Sequence, residues 1–339
     1  MNIAITSLYL PSGSKIGVGY QVHYLANALV RRGHAVTVFS QTGGSSDSLY
    51  ETVVAPIRRS GRTFRFAWDL RRYDFSRFDV LNAHGDDWFL WGRRRPRHVH
   101  TYHGSCFAEM LHAGTLVAKT RMAALAACEY NSLLLADTTV AVSENTRRYF
   151  PNIRHVIPCG VDTERFSPGE EKSTKPAVLL VGTMHGRKRG RLLLDVFRKQ
   201  IRPVLPEAQL WCVCDQPSDE TSDEGVCWLG RVDQDTLIDL YRRAWVFCLP
   251  STYEGFGVPY IEAMAAGLPV VATPNVGARE VTRDGRYGIL VSDEELGSRL
   301  LLLLQDANVR MLWSQRGLKR SKDFSWDTVC QRYEEVYRN

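Results

Sequence analysis

Apolar residues recur along the chain in two alternating patterns. Short runs rich in β-branched and apolar residues predict strands at residues 3–6, 35–40, 80–83, 99–102 and 138–142. Between them, apolar residues spaced three or four apart predict helices, as at residues 21–32, where Gly33 follows as a typical helix-ending glycine. Such alternation of strands and helices indicates a parallel, doubly wound α/β sheet.

The alternation is interrupted once and then resumes. Residues 158–176 are rich in proline, glycine and charge, and further strands are predicted at residues 177–181, 210–214, 226–229, 246–249, 270–273 and 289–291. The pattern therefore predicts two doubly wound, Rossmann-like domains facing each other across a cleft. Ligands of such sheets bind beyond the carboxyl ends of the strands.

Length and composition fit this organisation. The 339 residues suffice for two domains, and 44% hydrophobic with 24% charged residues is an ordinary globular composition. The apolar runs are far shorter than the roughly 18 residues that would span a bilayer. Residues 1–10 lack the basic segment and cleavage site of a signal peptide, so we expect a cytoplasmic protein.

Positive charge is concentrated in one part of the chain. Residues 55–100 hold eleven arginines, the first at Arg58 and the last at Arg97, against five acidic residues, so this segment accounts for the whole net charge of +6. A basic surface of this kind attracts phosphates, acidic lipid headgroups or nucleic acid. A solvated surface without a partner is the alternative.

The densest motif follows the strand predicted at residues 246–249. Residues 250–272 read PSTYEGFGVPYIEAMAAGLPVVA, in which a helix is predicted to begin near Gly257, with Pro259 in its first turn. Gly255 and Gly257 allow the backbone amides around Phe256 to approach an anion, and the helix dipole favours negative charge there. This segment is therefore a candidate pyrophosphate site.

Two carboxylates accompany this helix start. Glu254 precedes the helix and Glu262 lies about one turn inside it. Carboxylates accept hydrogen bonds from vicinal hydroxyls such as those of a ribose or a hexose. Two surface glutamates without a ligand are the alternative that spacing alone leaves open.

The motif S-x-x-E-G-F-G-x-P-x-x-E-A-M-A-x-G-x-P-V-V-A, with Glu254 and Glu262 in E-x7-E spacing, resembles the signature of the retaining family 4 glycosyltransferases of the GT-B fold. Further segments agree with it along most of the chain. They are Gly17-Val18-Gly19 before the first helix, His103-Gly104, Val140 to Ser143, and Gly160-Val161-Asp162 followed by Phe166 and Pro168.

The resemblance implies a domain organisation and a reaction. Residues 1–162 would form an acceptor-side domain, residues 163–324 a nucleotide-sugar-binding domain, and residues 325–339 a helix that crosses back to the first domain. The reaction would move a hexose-like sugar from a UDP or GDP donor to a hydroxyl acceptor with retention, by same-face attack. No cofactor and no essential divalent metal are expected.

The resemblance also implies roles for individual residues. Glu262 would bind the ribose hydroxyls and Glu254 the donor sugar. The diphosphate would lie against Gly17, Gly19 and the amides of Gly255, Phe256 and Gly257. His103 would lie next to the reacting sugar and contact a hydroxyl or a phosphate.

One segment departs from the family pattern. Family members usually carry an arginine after the first strand of the second domain and a lysine several residues later, and both face the leaving diphosphate. Here Thr183 occupies the arginine position and Arg189 the lysine position, so Arg189 is the expected catalytic cation. Arg187 or Lys188 could replace it, since a cationic phosphate clamp requires charge and reach.

Two motifs are better explained without a metal. Asp233-Gln234-Asp235 matches a D-x-D pattern, but it precedes a helical run and is expected to cap it. His98, His100 and His103 resemble a zinc cluster, yet strand alternation places His98 and His100 on one face and His103 on the other.

Other functions remain open at this level. A GT-B nucleotide-sugar epimerase would share the cleft, and a non-catalytic nucleotide-sugar-binding protein would tolerate Thr183. Nucleic-acid binding has no recognition motif to support it. The arginine-rich segment (residues 58–97) further suggests an anionic or lipid-linked acceptor, with peripheral contact at the inner membrane face.

Overall fold

Two units, each built around its own parallel sheet, make up the chain. The computed structural model describes residues 1–11, 17–56, 62–112, 114–150, 152–218, 220 and 224–339. The N-terminal unit contains Met1–Gly160 together with Trp326–Asn339, and the C-terminal unit contains Val161–Ser325. No helix of the described residues is long and apolar enough to cross a membrane.

The N-terminal unit has a sheet of seven parallel strands among its described residues, in the order β3-β2-β1-β4-β5-β6-β7. The strands are β1 (Asn2–Thr6), β2 (Ala35–Ser40), β3 (Glu51–Val54), β4 (Val80–Ala83), β5 (Arg97–Tyr102), β6 (Thr138–Ala141) and β7 (His155–Val156). Its helices are α1 (Gly17–Arg31), α2 (Arg62–Asp69), α3 (Cys106–His112), α4 (Leu116–Leu135), α5 (Glu144–Tyr149) and α12 (Trp326–Arg338).

The C-terminal unit repeats this architecture with six parallel strands among its described residues, in the order β10-β9-β8-β11-β12-β13. The strands are β8 (Ala177–Val181), β9 (Gln209–Val213), β10 (Val226–Trp228), β11 (Val246–Leu249), β12 (Val270–Ala272) and β13 (Ile289–Leu290). The helices are α6 (Gly190–Val196), which continues through a π-helical turn at Phe197–Ile201, α7 (Gln234–Arg243), α8 (Val258–Ala265), α9 (Val276–Thr282), α10 (Leu296–Gln305) and α11 (Ala307–Ser321).

The central strands of both sheets are buried on both faces. The strand predictions at residues 35–40, 80–83, 177–181 and 246–249 coincide with β2, β4, β8 and β11. Fully buried parallel strands are nearly continuous apolar runs, which makes them easy to locate. The edge strands β3 and β7 were not predicted, because they are short and their residues stay partly exposed.

The last helix, α12, belongs to the N-terminal unit. Its buried residues Trp326, Val329 and Tyr333 join the core cluster that α1 and the first strands form. The hydroxyl of Tyr337 accepts a hydrogen bond from Asn82 Nδ2 at 2.7 Å. Gly160 is required next to this helix, because a Cβ there would lie 2.5 Å from the Trp326 ring.

An ion pair joins α12 to the end of α1. Glu334 is only 6% exposed, and its carboxylate accepts from Arg32 Nε at 2.6 Å, from Arg32 Nη2 at 3.1 Å and bonds His34 Nε2 at 3.1 Å. The hydrogen bonds from Arg32, which outweigh the effect of burial, lower the pKa of Glu334 to about 2. The ionised carboxylate therefore stabilises the docked helix.

We expect Glu334→Gln to lower the free energy of unfolding at pH 7 by about 1–2 kcal/mol, a figure reduced for solvent screening at the partly exposed Arg32. Because the pKa of Glu334 is lowered in the folded protein, this stabilisation is present above pH 4.5 and is lost as the pH falls towards 2. Urea unfolding followed by tryptophan fluorescence at pH 7 and pH 3 measures both values. The exposed Glu335→Gln is the matched control, and an equal loss for Glu334→Gln at both pH values would contradict the ionic contribution.

Candidate active site

Two loops meet where the strand order of the C-terminal sheet reverses. β8 and β11 are neighbours in the sheet, with Val246 paired to Val178 and Phe247 to Leu179. Residues 182–190 follow β8, and residues 250–257 follow β11. Since parallel strands end at the same edge, these two loops lie together at the position where doubly wound sheets bind ligands.

Glu254 lies in the loop after β11 and contacts the loop after β8. It is 4% exposed, and its Oε1 accepts from Ser251 Oγ at 2.7 Å and lies 2.7 Å from Lys188 Nζ. The Ser251 carbonyl in turn accepts from Thr273 Oγ1 at 2.9 Å and from Asn275 Nδ2 at 3.0 Å, which fixes the loop. A buried carboxylate is thus held in one orientation by a cation from the neighbouring loop.

The start of α8 presents free backbone amides beside this carboxylate. Gly257 has φ +100°, a conformation that favours glycine, and a Cβ there would lie 2.4 Å from the Tyr260 ring. Among the residues that the structure describes, none accepts a hydrogen bond from the amides of Gly255, Phe256 or Gly257. The ring of Phe256 is buried and packs edge-on against Phe324. The predicted glycine-rich helix start therefore has donors available for an anion.

Glu262 lies one turn inside α8 and is partly buried. Its Oε2 accepts a hydrogen bond from the buried Tyr241 hydroxyl at 3.0 Å. Burial raises the pKa of Glu262 to about 7, and the hydrogen bond from Tyr241 and the charge of Lys188 oppose this shift. The carboxylate is therefore close to its titration point at neutral pH, which makes its charge sensitive to a bound ligand.

The three cations of the β8 loop have different neighbours. Lys188 is the one that contacts Glu254, and its side chain is 17% exposed. Arg187 is exposed, with its Nη1 3.5 Å from the Tyr253 carbonyl. Thr183, at the position where the family has an arginine, donates its hydroxyl to the His185 carbonyl at 2.9 Å.

Arg189, the expected catalytic cation, contacts a different carboxylate from Lys188. It has φ +54° and ion-pairs with Asp293. Lys188, one residue earlier, therefore contacts the Glu254 carboxylate instead. Sequence counting placed the lysine equivalent one residue too late for this contact, because the turn geometry at Gly186 to Lys188 sets which side chain faces the β11 loop.

The predicted residues of the N-terminal unit follow β1 and β5. α1 begins at Gly17, where an added Cβ would meet nothing, whereas a Cβ at Gly19 would lie 2.6 Å from the Tyr9 carbonyl oxygen. Gly19 is therefore needed for the close approach of α1 to the loop after β1. Gly17 has no such packing requirement.

His103 follows β5 and pairs with a histidine that follows β4. Its Nε2 lies 2.7 Å from His84 Nδ1. Burial, together with the charge of His100, lowers the pKa of His103 to about 4, and burial likewise lowers the pKa of His84. Both rings are therefore neutral at pH 7, and they exchange a hydrogen bond rather than act as cations.

His98 and His100 face a different partner. His98 Nε2 and His100 Nδ1 both lie 2.8 Å from Asp87 Oδ2, and Ser132 Oγ donates to Asp87 Oδ1 at 2.6 Å. His103 takes no part in this buried network, as strand alternation predicts. Asp233 caps α7 by accepting from the Thr236 amide at 2.8 Å, so the capping interpretation of its motif is confirmed.

Several polar residues of these sites were not predicted. Tyr241 has no local signal, because its contact to Glu262 depends on packing, whereas Ser251 stands three residues before Glu254 in the quoted motif but was given no role. His84 did have one, since His84-Gly85 repeats at the end of β4 the His103-Gly104 pair at the end of β5. A search for repeated strand-end pairs would have found it.

These sheets and the polar loops at their reversal points define a two-sheet GT-B protein, and comparisons with known proteins agree. A family model described as Glycosyltransferase Family 4 matches residues 16–165, and one described as Glycosyl transferases group 1 matches residues 175–306. The O-antigen chain mannosyltransferase B of Escherichia coli is 30% identical over 302 residues, which cover 81% of this chain and 77% of that protein.

Solved structures share the fold over the whole chain. Sucrose-phosphate synthase from Thermosynechococcus elongatus superimposes with a TM-score of 0.80 at 21% identity, covering 99% of this chain and 98% of that one. Anabaena HepE in complex with UDP-glucose superimposes with a TM-score of 0.77 at 18% identity, covering 100% and 99%. The chain belongs to the family 4, group 1 glycosyltransferases, and it is an enzyme that transfers sugar.

Proposed function

We propose that this protein is a retaining glycosyltransferase that moves a hexose-like sugar from a UDP or GDP donor to a hydroxyl acceptor. The observation that supports it most is the arrangement around Glu254, where Lys188 and Ser251 contact one carboxylate and the next three residues leave their amides free before α8. Cations and amides suit a diphosphate, and carboxylates suit sugar hydroxyls. HepE was crystallised with UDP-glucose, which supports the donor class by fold similarity.

Each residue then has a proposed role. Glu262 binds the ribose hydroxyls, and Glu254 binds the donor sugar. The amides of Gly255, Phe256 and Gly257 and the Lys188 ammonium bind the diphosphate, with Arg187 as a second cation and Arg189 acting only through the loop that Asp293 anchors. Gly17 and Gly19 allow the backbone to approach the diphosphate, and His103 contacts a hydroxyl as a neutral ring.

The proposed reaction needs no nucleophile from the enzyme. The bond between the anomeric carbon and the diphosphate oxygen breaks, the acceptor oxygen bonds to the same face of that carbon, and the acceptor proton passes to the leaving phosphate. Amides and cations stabilise the departing charge, and each well-placed donor supplies roughly 3 kcal/mol. We propose that these groups replace a divalent metal, so activity should persist in EDTA.

Titration calorimetry with UDP, GDP, ADP and their sugar conjugates tests the donor site. Selective binding of one nucleotide, followed by acceptor-dependent release of that nucleotide and an NMR spectrum showing the donor's anomeric configuration in the product, would support the proposal. Interconversion of the sugar nucleotide without acceptor would identify an epimerase. Selective binding without any turnover would identify a binding protein, and an absence of binding would reject the donor site.

Part of the arginine-rich segment is suited to an anionic membrane surface. Arg58 and Arg59 lie outside the described residues. Arg71, Arg95 and Arg97 donate to the backbone carbonyls of Phe89, Leu135 and Val336, so they serve the fold. Arg93 and Arg94 are exposed next to the half-exposed Trp91. Exposed arginines beside tryptophan favour the interface of an anionic bilayer.

We therefore expect R93E/R94E to weaken binding to phosphatidylglycerol-containing vesicles by roughly 30-fold or more, at about 1 kcal/mol for each arginine removed. Arg95 is left unchanged because its guanidinium supports the backbone at Leu135. Vesicle sedimentation measures the effect, and R148E/R154E makes the same charge change at two other exposed positions of this unit. Equal losses in both variants, or no binding by the unaltered protein, would contradict a membrane role for Arg93 and Arg94.

A further inference from the structure

A cavity of about 260 Å³ opens in the N-terminal unit beyond the carboxyl ends of β4 and β5. It is lined by residues that include His84, Asp86, Trp88, Tyr102, His103 and Glu129. The volume lies just below the roughly 300–1,000 Å³ of pockets for drug-sized ligands. It therefore suits one ring-sized group.

The lining of this cavity is acidic. Among the described residues that line it, the acidic side chains are Asp86, Glu109 and Glu129, and none is a lysine or an arginine. Three histidines also line the cavity: burial lowers the pKa of both His84 and His103, and His100 Nδ1 lies 2.8 Å from Asp87 Oδ2. A phosphate or carboxylate in this cavity would face three acidic side chains and no lysine or arginine of the described residues, so the lining disfavours an anionic group.

Asp86 is a buried carboxyl to which no described residue donates a hydrogen bond. It is 5% exposed, and no hydrogen bond contributes to the shift of its pKa. Burial, reinforced by the neighbouring charge of Asp87, raises the pKa of Asp86 well above its usual range. An unpaired buried polar group is costly, and groups of this kind in native structures often mark a ligand site.

The contrast with the next residue is informative. Asp87 is fully buried, but its two carboxylate oxygens bond His98, His100 and Ser132. The same segment thus satisfies one carboxyl completely and leaves the other facing the cavity. Asp86 also has φ +66°, which turns the chain between the two.

The remaining lining suits the body of a sugar ring. Trp88 contributes an indole whose buried Nε1 has no hydrogen-bond partner in the described part of the chain. Tyr102 and Leu125 add apolar surface. A saccharide ring has C–H groups that pack against aromatic faces, and hydroxyls that hydrogen-bond to polar groups at the edge of a site.

We propose that this cavity binds a neutral, non-phosphorylated sugar ring of the acceptor, with the Asp86 carboxyl hydrogen-bonded to its hydroxyls. This inference rests on the proposed glycosyltransferase function and specifies its acceptor. An acceptor hydroxyl in the cavity lies beside His103, the residue expected next to the reacting sugar. Any anionic or lipid part of the acceptor lies outside the cavity.

The test compares neutral and phosphorylated sugars in binding to the full chain. Saturation-transfer NMR is recorded with methyl α-mannoside, methyl α-glucoside and methyl β-galactoside, and with mannose 6-phosphate and glucose 6-phosphate, in the presence of UDP or GDP. We expect at least one neutral glycoside to bind and the phosphorylated sugars to bind at least tenfold more weakly. Asp86→Asn should weaken glycoside binding roughly tenfold, because asparagine keeps the shape and tolerates this φ but changes the hydrogen-bonding group.

Asp284→Asn is the matched control. Asp284 has φ +51° in the C-terminal unit and pairs with Arg279, so its substitution tests the same backbone conformation away from the cavity. Phosphorylated sugars that bind as well as neutral ones, unchanged binding in Asp86→Asn, or an absence of glycoside binding would overturn the inference. Nucleotide titration of the unaltered protein and of both variants separates the two proposals. If none of them binds a nucleotide, the proposed donor site, and with it the glycosyltransferase function, is rejected.

Discussion

Glu254→Gln should reduce kcat/KM for glycosyl transfer about 100-fold, because the hydrogen bonds of a charged group to the donor sugar and the alignment they provide are lost together. The affinity for free UDP or GDP should stay the same or increase up to about threefold. The reason is that Lys188 Nζ, now 2.7 Å from the Glu254 carboxylate, would be released to the diphosphate. Steady-state kinetics and calorimetry measure the two effects separately.

The same substitution should destabilise the C-terminal unit. It leaves the Lys188 ammonium, which is only 17% exposed, without its counter-ion, at a cost of about 2 kcal/mol. Adding Lys188→Gln should recover most of this loss while transfer stays low and nucleotide affinity falls. Recovery of transfer in the double variant would assign Glu254 to the fold alone, and Glu294→Gln, at an exposed position of the same unit, is the matched control.

The second large effect concerns pH. Since burial raises the pKa of Glu262 to about 7, its carboxylate loses a proton between pH 6 and pH 8. Ribose hydroxyls donate to the ionised form, so the affinity for the sugar nucleotide should fall roughly tenfold from pH 8 to pH 6. A sugar nucleotide is the right ligand for this titration, because its diphosphate diester does not titrate in this range.

Two variants connect this pH dependence to Glu262. Glu262→Gln should weaken binding at pH 8 and remove most of the dependence. Tyr241→Phe removes the hydroxyl that lies 3.0 Å from Glu262 Oε2, so the pKa of Glu262 should rise and the midpoint should move to higher pH. An unchanged midpoint in Tyr241→Phe, or a flat profile in the unaltered protein, would exclude Glu262 as the titrating group.

Glu262→Gln should weaken nucleotide binding but increase the stability of the fold. A carboxyl whose pKa is raised in the folded protein favours folding below pH 4.5, and this contribution is lost as the pH rises through 7. At pH 8 the buried charge therefore destabilises the fold, and the neutral glutamine should raise the free energy of unfolding by about 1–3 kcal/mol. Gain of stability with loss of nucleotide binding is the pattern expected of a binding residue.

Most of the fold could be predicted from the periodicity of hydrophobic residues. Buried parallel strands such as β2 and β11 are continuous apolar runs, and their bounds match the prediction. The start of α1 was placed too late, at residue 21, because its glycines have low helix propensity and the observed helix begins at Gly17. Short edge strands such as β3 lack the burial that creates a pattern.

The residues of the proposed donor site could be predicted from the sequence for a different reason. Glu254, Gly257 and Glu262 lie within one strand-turn-helix segment, so their spacing alone places them at one helix start. The residues that contact them could not be predicted from the sequence. Lys188 and Tyr241 come from loops and helices that the strand order brings next to α8, and neighbouring cations in the β8 loop cannot be distinguished by composition.

By itself, the sequence determined the two doubly wound sheets, the glycine-rich helix start and the pair of glutamates, because each of these depends on residues close together in the chain. Tertiary structure alone decided that Lys188 rather than Arg189 faces Glu254, and that His84 pairs with His103. It also decided that Asp87 is satisfied while Asp86 faces a cavity. These contacts depend on which strands lie side by side and on the local turn that aims each side chain, and hydrophobic periodicity encodes neither of them.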